Sequence, residues 1–253
     1  IGAGGISSGI YTTDSAAQVK YLVNDSKTKF YFAENEEQLD KILEVRNECP
    51  SLKKIIVYDM EGLNDFKDDQ VLSYEEFIQL GKKLDSDQPD LWLQSINSVE
   101  ADDIAILVYT SGTTGPSKGA MINHKNLLYS VNTGVEIFEA REHEEQLSFL
   151  PLCHILERSV SVMFPLKTGA VVNFAESIDT VPENIREVSP TVFVAVPRIW
   201  EKFYSSITIL MKDATFIGRY FYNLSINTGA KYKEYFIEGK EPPLKLKLMF
   251  WIC

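Results

Sequence analysis

The residues in this chain with the clearest chemical potential form one unbroken run, Tyr109-Thr-Ser-Gly-Thr-Thr-Gly-Pro-Ser-Lys-Gly119. Hydroxyls from Thr110, Ser111, Thr113 and Thr114 stand among Gly112, Gly115 and Gly119, and a single cation, Lys118, lies near the end. Glycines let a backbone turn tightly and bring its amides against a ligand. Hydroxyls and an ammonium add donors and positive charge. Such a loop is suited to the oxygens of a polyphosphate. Pro116 stiffens it. Two familiar phosphate loops do not fit. In G-x-x-x-x-G-K-[ST] a glycine precedes the lysine and a hydroxyl follows it. Here Ser117 precedes Lys118 and Gly119 follows. The dinucleotide fingerprint G-x-G-x-x-G is also absent from the loop.

The elements that must carry this loop are legible in the periodicity. The apolar run Ile104-Ala-Ile-Leu-Val-Tyr109 predicts a strand that empties into it, and Ala120–Ile122 a short strand after it. Helices are expected over 15–23, 36–47, 73–84, 124–138, 154–164, 181–188, 197–211 and most of 215–236. Further strands are expected over 29–33, 54–58, 147–150, 170–174 and 191–196, with a connector holding short ordered pieces over 85–100. Strands alternating with helices predict an α/β fold of mostly parallel sheets covered by helices. Ligands in such sheets bind beyond the carboxyl ends of strands, which is where the loop lies.

Composition limits the alternatives. The chain has 253 residues and a net charge of −11, which argues against nucleic-acid binding. The charge is uneven: residues 1–103 hold 21 acidic and 10 basic side chains, whereas 198–253 hold 5 and 9. The basic, aromatic-rich end is compatible with an anionic membrane face and equally with a face docked on further protein. Three cysteines and three histidines are too few and scattered for a disulfide framework or a histidine-rich metal centre. No apolar run approaches a transmembrane length. The chain starts at Ile1 and ends at Cys253, and both ends read as internal to a longer protein.

The string Tyr109–Gly119 resembles the phosphate-loop signature of the adenylate-forming, AMP-binding superfamily. Leu150-Pro-Leu-Cys-His-Ile-Leu-Glu-Arg158 resembles the second motif of its long-chain acyl-CoA synthetases. Ser189-Pro-Thr191 with Val196-Pro-Arg-Ile-Trp-Glu-Lys202 resembles a third segment of that group, and Gly4-Gly-Ile6 with Gly9-Ile-Tyr-Thr-Thr13 an upstream one. The resemblance weakens after about residue 203.

The resemblance implies a part of the large N-terminal domain of a long-chain fatty acid–CoA ligase, spanning residues 1–253. ATP, Mg2+ and coenzyme A are the implied cofactor and cosubstrates, and a long-chain fatty acid the partner. Thr110, Ser111, Gly112, Thr113, Thr114, Gly115, Lys118 and Gly119 would hold ATP, with Lys118 on the β- or γ-phosphate. His154 would place the fatty carboxylate or meet the α-phosphate, and with Arg158 would contact the substrate. Related enzymes carry a tryptophan gate where Arg158 stands, so no such gate is carried over. Glu157 and Arg158 read as a polar pair. Parts found downstream in the family are not in the sequence: a tyrosine-glycine-threonine-glutamate type motif, a ribose-binding aspartate and a small C-terminal domain with a catalytic lysine. The chain alone is therefore expected to be inactive. The location expected is cytoplasmic or peripheral at a membrane face. Other adenylate-forming ligases and a non-catalytic truncated product stay open at this point.

Overall fold

The structure is a computed structural model that describes residues 1–110, 115–138 and 143–252. It divides into two compact units, the first from Ile1 to Phe193 and the second from Val194 onward.

The first unit opens with β1 (Ser7–Ser8) and α1 (Ala16–Asp25). Ser15 caps α1: its hydroxyl accepts from the Gln18 amide, and Gln18 Oε1 accepts from the Ser15 amide at 2.8 Å. The helix buries Val19, Leu22 and Val23, at the spacing of one face. Next come β2 (Phe30–Ala33), α2 (Glu36–Val45), β3 (Lys54–Val57) and β4 (Val71–Ser73). Asn35 caps α2, and Glu36 and Glu37 place negative charge at its positive end. Strands β2, β3 and β4 form a fully parallel sheet in that order. Ile55, Ile56 and Val57 of the central strand are all buried, as expected for a strand covered on both faces. Leu39 and Ile42 of α2 join Val19, Val23 and Ile55 in one core. Strand β4 was not expected from the sequence. Ser73 then caps α3 (Tyr74–Asp87) through a capping box with Glu76, and α4 (Leu91–Asn97) is a short ordered piece of the expected connector.

The loop-bearing sheet follows. β5 (Ile104–Thr110) pairs in parallel with β1 on one side and antiparallel with β6 (Lys118–Asn123) on the other. β6 is longer than expected: Lys118 and Gly119 lie in it, opposite Thr110 and Tyr109. Asn123 caps α5 (His124–Ile137). β7 (Glu145–Ser148) starts two residues earlier than the apolar pattern suggested and leads to α6 (Ile155–Arg158). A π-helical turn over Ser159–Met163 continues directly into α7 (Phe164–Thr168), which Gly169 ends with φ of 79°. β8 (Val171–Phe174) pairs in parallel with β7, and α8 (Val181–Val188) follows. The strand expected over 191–196 is reduced to one parallel bridge, Gln146–Val192.

The second unit is helical. Pro197 opens α9 (Pro197–Asp213) at a position where its missing N–H is not needed. Thr215 caps α10 (Phe216–Ile237), and α11 (Leu244–Ile252) folds back so that Phe250 stacks on Tyr232 at 4.2 Å. Among the described residues no helix is long and apolar enough to cross a membrane.

Candidate active site

The carboxyl end of β5 and the amino end of β6 border a cavity of about 710 Å³ in the first unit. Thr110, Gly115, Pro116 and Ser117 form one wall. Tyr11, Asp14, Gln18 and Tyr21 face it from the α1 side, and His154 closes it. The structure thus brings together Thr110, Gly115 and His154, which lie far apart in sequence.

Close backbone approach builds the His154 corner. A Cβ on Gly9 would sit 2.6 Å from Cys153 Cα, so only glycine lets this segment run against the turn that precedes α6. Burial there raises the pKa of both the Tyr11 phenol and the Cys153 thiol. His154 is the N-cap of α6. Its amide donates to Pro151 O at 2.9 Å, and its Nδ1 accepts from the Leu156 amide at 3.2 Å. With Nδ1 used inside the chain, Nε2 is the nitrogen offered to a ligand.

Glu157 and Arg158 do not form the pair that adjacency suggested. Consecutive helical residues point about 100° apart. Glu157 turns inward, 3% exposed, and its Oε1 accepts from Ser148 Oγ at 2.6 Å and Ser161 Oγ at 2.7 Å. These bonds tie α6 and the π turn to the end of β7. Arg158 turns toward β1: its Nε donates to Leu152 O and its Nη1 to Ser7 Oγ, both at 3.0 Å. Burial lowers the guanidinium pKa. Arg158 is outside the cavity lining.

Lys118 is exposed and, among the described residues, has no ion-pair partner. Gly119 lies under the Tyr109 ring: a Cβ there would be 3.1 Å from Tyr109 Cζ. Neither residue lines the cavity. Ser111, Gly112, Thr113 and Thr114 lie outside the described residues. Among the described residues no group of three or more His, Cys, Asp or Glu side chains is arranged to hold a metal.

Sequence reasoning passed over Tyr21 and Asp25. Tyr21 Oη donates to Ser117 O at 2.8 Å, and Tyr109 Oη donates to Asp25 Oδ2 at 2.7 Å. Burial, then the Asp25 carboxylate, push the Tyr109 phenol well above its ordinary range. The only local signal was the i, i+4 spacing of Tyr21 and Asp25 on α1.

A parallel-rich α/β unit with a glycine- and hydroxyl-rich loop at a strand's carboxyl end defines a nucleotide-handling protein class. The chain belongs to the AMP-binding enzyme family, whose pattern it matches over residues 1–232. It is 37% identical over 211 residues to human long-chain-fatty-acid–CoA ligase ACSBG2, covering 81% of this chain and 31% of that protein. The Xenopus laevis protein of the same name is 35% identical, covering 86% of this chain and 30% of the relative. The chain thus spans under a third of the length of these curated relatives. The fold is shared with the anthranilate CoA ligase AuaEII in complex with anthranoyl-AMP, at a TM-score of 0.58 and 24% identity over 77% of this chain and 36% of that one. It is shared also with ATP-bound MatB from Rhodopseudomonas palustris, at 0.56 and 22% over 79% and 36%.

Proposed function

We propose that this chain supplies the phosphate loop and part of the acyl-binding region of an ATP-dependent ligase that joins a long-chain fatty acid to coenzyme A. The observation that carries the reading is the cavity in which Thr110, the Gly115–Ser117 limb and His154 face one another. In the reaction a fatty carboxylate oxygen attacks the α-phosphorus of ATP, and the bond to pyrophosphate breaks. The coenzyme A thiol then loses its proton as sulfur bonds to the acyl carbon, and the bond to AMP breaks. The names of the long-chain-fatty-acid–CoA ligase relatives support this acid and this acceptor.

The loop's role is to meet charge on the polyphosphate. Thr110 Oγ1, the glycine amides and Lys118 donate to phosphate oxygens, a load that fixed donors carry without reorganisation. Ser111, Gly112, Thr113 and Thr114 belong to the same proposed set. Lys118 starts from the strand edge of the loop and reaches the phosphates as a flexible point charge. His154 Nε2 orients the carboxylate or the α-phosphate. Magnesium, held in this reading by phosphate oxygens and water, would neutralise the charge that remains. Arg158 acts on the substrate indirectly, by fixing the turn before His154. We place the protein in the cytoplasm or at a membrane face, the basic second unit being the part suited to an anionic surface.

Calorimetric titration of the chain with Mg-ATP, beside Lys118→Ala, tests the reading. Binding that weakens about tenfold or more on substitution is the expected result, since a charge-assisted hydrogen bond is lost. A folded chain that takes up no ATP at millimolar concentrations overturns the claim that this loop holds polyphosphate. Acyl-CoA formation by the purified chain overturns the further claim that the chain alone is inactive.

A further inference from the structure

Two hydrogen bonds join α1 to the two limbs of the phosphate loop. On the incoming limb, Tyr109 Oη donates to Asp25 Oδ2 at 2.7 Å across 84 residues of sequence. On the returning limb, Tyr21 Oη donates to Ser117 O at 2.8 Å across 96 residues. Tyr21 and Asp25 lie one helical turn apart, so they present two anchor points on one face of α1. Tyr21, Tyr109 and Ser117 all line the cavity.

Helix physics alone does not account for Asp25. It is the last residue of α1. A carboxylate at that end faces the negative pole of the helix dipole and is locally unfavourable. Its bond to Tyr109 supplies the compensating interaction. Tyr21 likewise is no core residue, being 36% exposed. The opposite face of α1, through Val19, Leu22 and Val23, does the packing.

We propose that Tyr21 and Asp25 are positioning residues for the two limbs of the phosphate loop, holding Ser117 and Tyr109 against α1 before polyphosphate arrives. The inference rests on the phosphate-loop reading given above. Preorganising a loop strengthens binding by reducing the ordering that the ligand must impose. Removing one clasp therefore weakens polyphosphate binding without removing any group that touches phosphate.

The test uses the whole chain with Tyr21→Phe, Asp25→Ala and Asp25→Asn, beside Lys118→Ala. Three quantities are measured: affinity for Mg-ATP, affinity for magnesium pyrophosphate, and amide hydrogen exchange over residues 106–123. Tyr21→Phe, which loses a neutral hydrogen bond, weakens both ligands by about fivefold, and Asp25→Ala, which loses a hydrogen bond to a carboxylate, by about that much or more. Exchange over the two limbs speeds up, while exchange in β2 and β3 stays as in the parent. Asp25→Asn, whose amide oxygen still accepts from Tyr109, restores most of the affinity. A purely structural role would not weaken binding in Tyr21→Phe or Asp25→Ala while the melting temperature stays unchanged. If Lys118→Ala weakens ATP binding and the α1 variants do not, the inference fails alone. If exchange speeds up with affinities unchanged, the clasps serve the fold only, and the inference again fails. If the parent chain binds neither ATP nor pyrophosphate, the phosphate-loop reading and this inference fall together.

Discussion

Glu157→Ala removes the acceptor that fastens the His154 turn to β7. Two serine hydroxyls donate to the same carboxylate oxygen, and the residue is 3% exposed, so water does not readily replace what is lost. Hydrogen bonds to a charged group contribute roughly 1.5–3 kcal/mol each. Relief of the carboxylate's own desolvation offsets part of their loss. The expected destabilisation is about 3 kcal/mol, within the range seen when one member of a buried polar network is deleted. Glu157→Gln retains an oxygen able to accept from both hydroxyls and should lose only about 1 kcal/mol. Urea unfolding followed by circular dichroism measures both. With a slope of about 2–3 kcal/mol per molar urea, the alanine midpoint falls by about 1–1.5 M and the glutamine midpoint by about 0.3–0.5 M. An alanine variant within about 0.3 M of the parent would refute the reasoning. So would a glutamine variant as damaged as alanine, because charge and not acceptor geometry would then dominate.

Gly9→Ala would drive a Cβ to 2.6 Å from the Cys153 backbone, which cannot rotate away. A drop of about 2 kcal/mol or more is expected in the same urea assay, as for an overpacked site. Leu39→Ala empties a fully buried position of the first core and should cost about 2–5 kcal/mol, read as a thermal shift. Asp68 is held below the usual carboxylate range by the Gln70 amide and then by Arg46, whose Nη1 lies 2.6 Å away. Its folded pKa is depressed, so its contribution is present above the unfolded value of about 4 and is lost as pH falls through the folded value. Urea midpoints taken from neutral pH down into that acid window should fall less steeply for Arg46→Met than for the parent.

What the sequence made legible was local. The helices expected from 15, 36, 73 and 124 begin within a residue of those positions, capped by Ser15, Asn35, Ser73 and Asn123. Ile104 to Tyr109 announced a strand because its apolar run has strand length and ends in glycine-rich chemistry. Strand β4 escaped notice because Val71–Ser73 is three residues long and gives no period to read. Residues 191–196 have the β-branched composition of a strand, yet pair through a single bridge, since strand formation depends on a neighbour. The motif drew attention to His154, which lines the cavity. The divergent directions of Glu157 and Arg158 were not foreseen, although helix geometry turns consecutive residues about 100° apart. The partners of Tyr21 and Asp25 lie 96 and 84 residues away, where periodicity carries no information.

The antiparallel pairing of β5 with β6 turns the loop between them into a ruler. Thr110 stands opposite Lys118 and Tyr109 opposite Gly119. Strand side chains alternate between faces, so a one-residue slip of β6 would send each of its side chains to the other side of the sheet. A single insertion or deletion between 111 and 117 therefore has two outcomes. Either the loop absorbs it and the lysine keeps its face, or β6 slides and the ammonium leaves that face while a bulkier residue enters the space under the Tyr109 ring. Loop length should thus be far less tolerant of change than loop composition, and substitutions at Ser117 should be accepted where the loss of one residue is not.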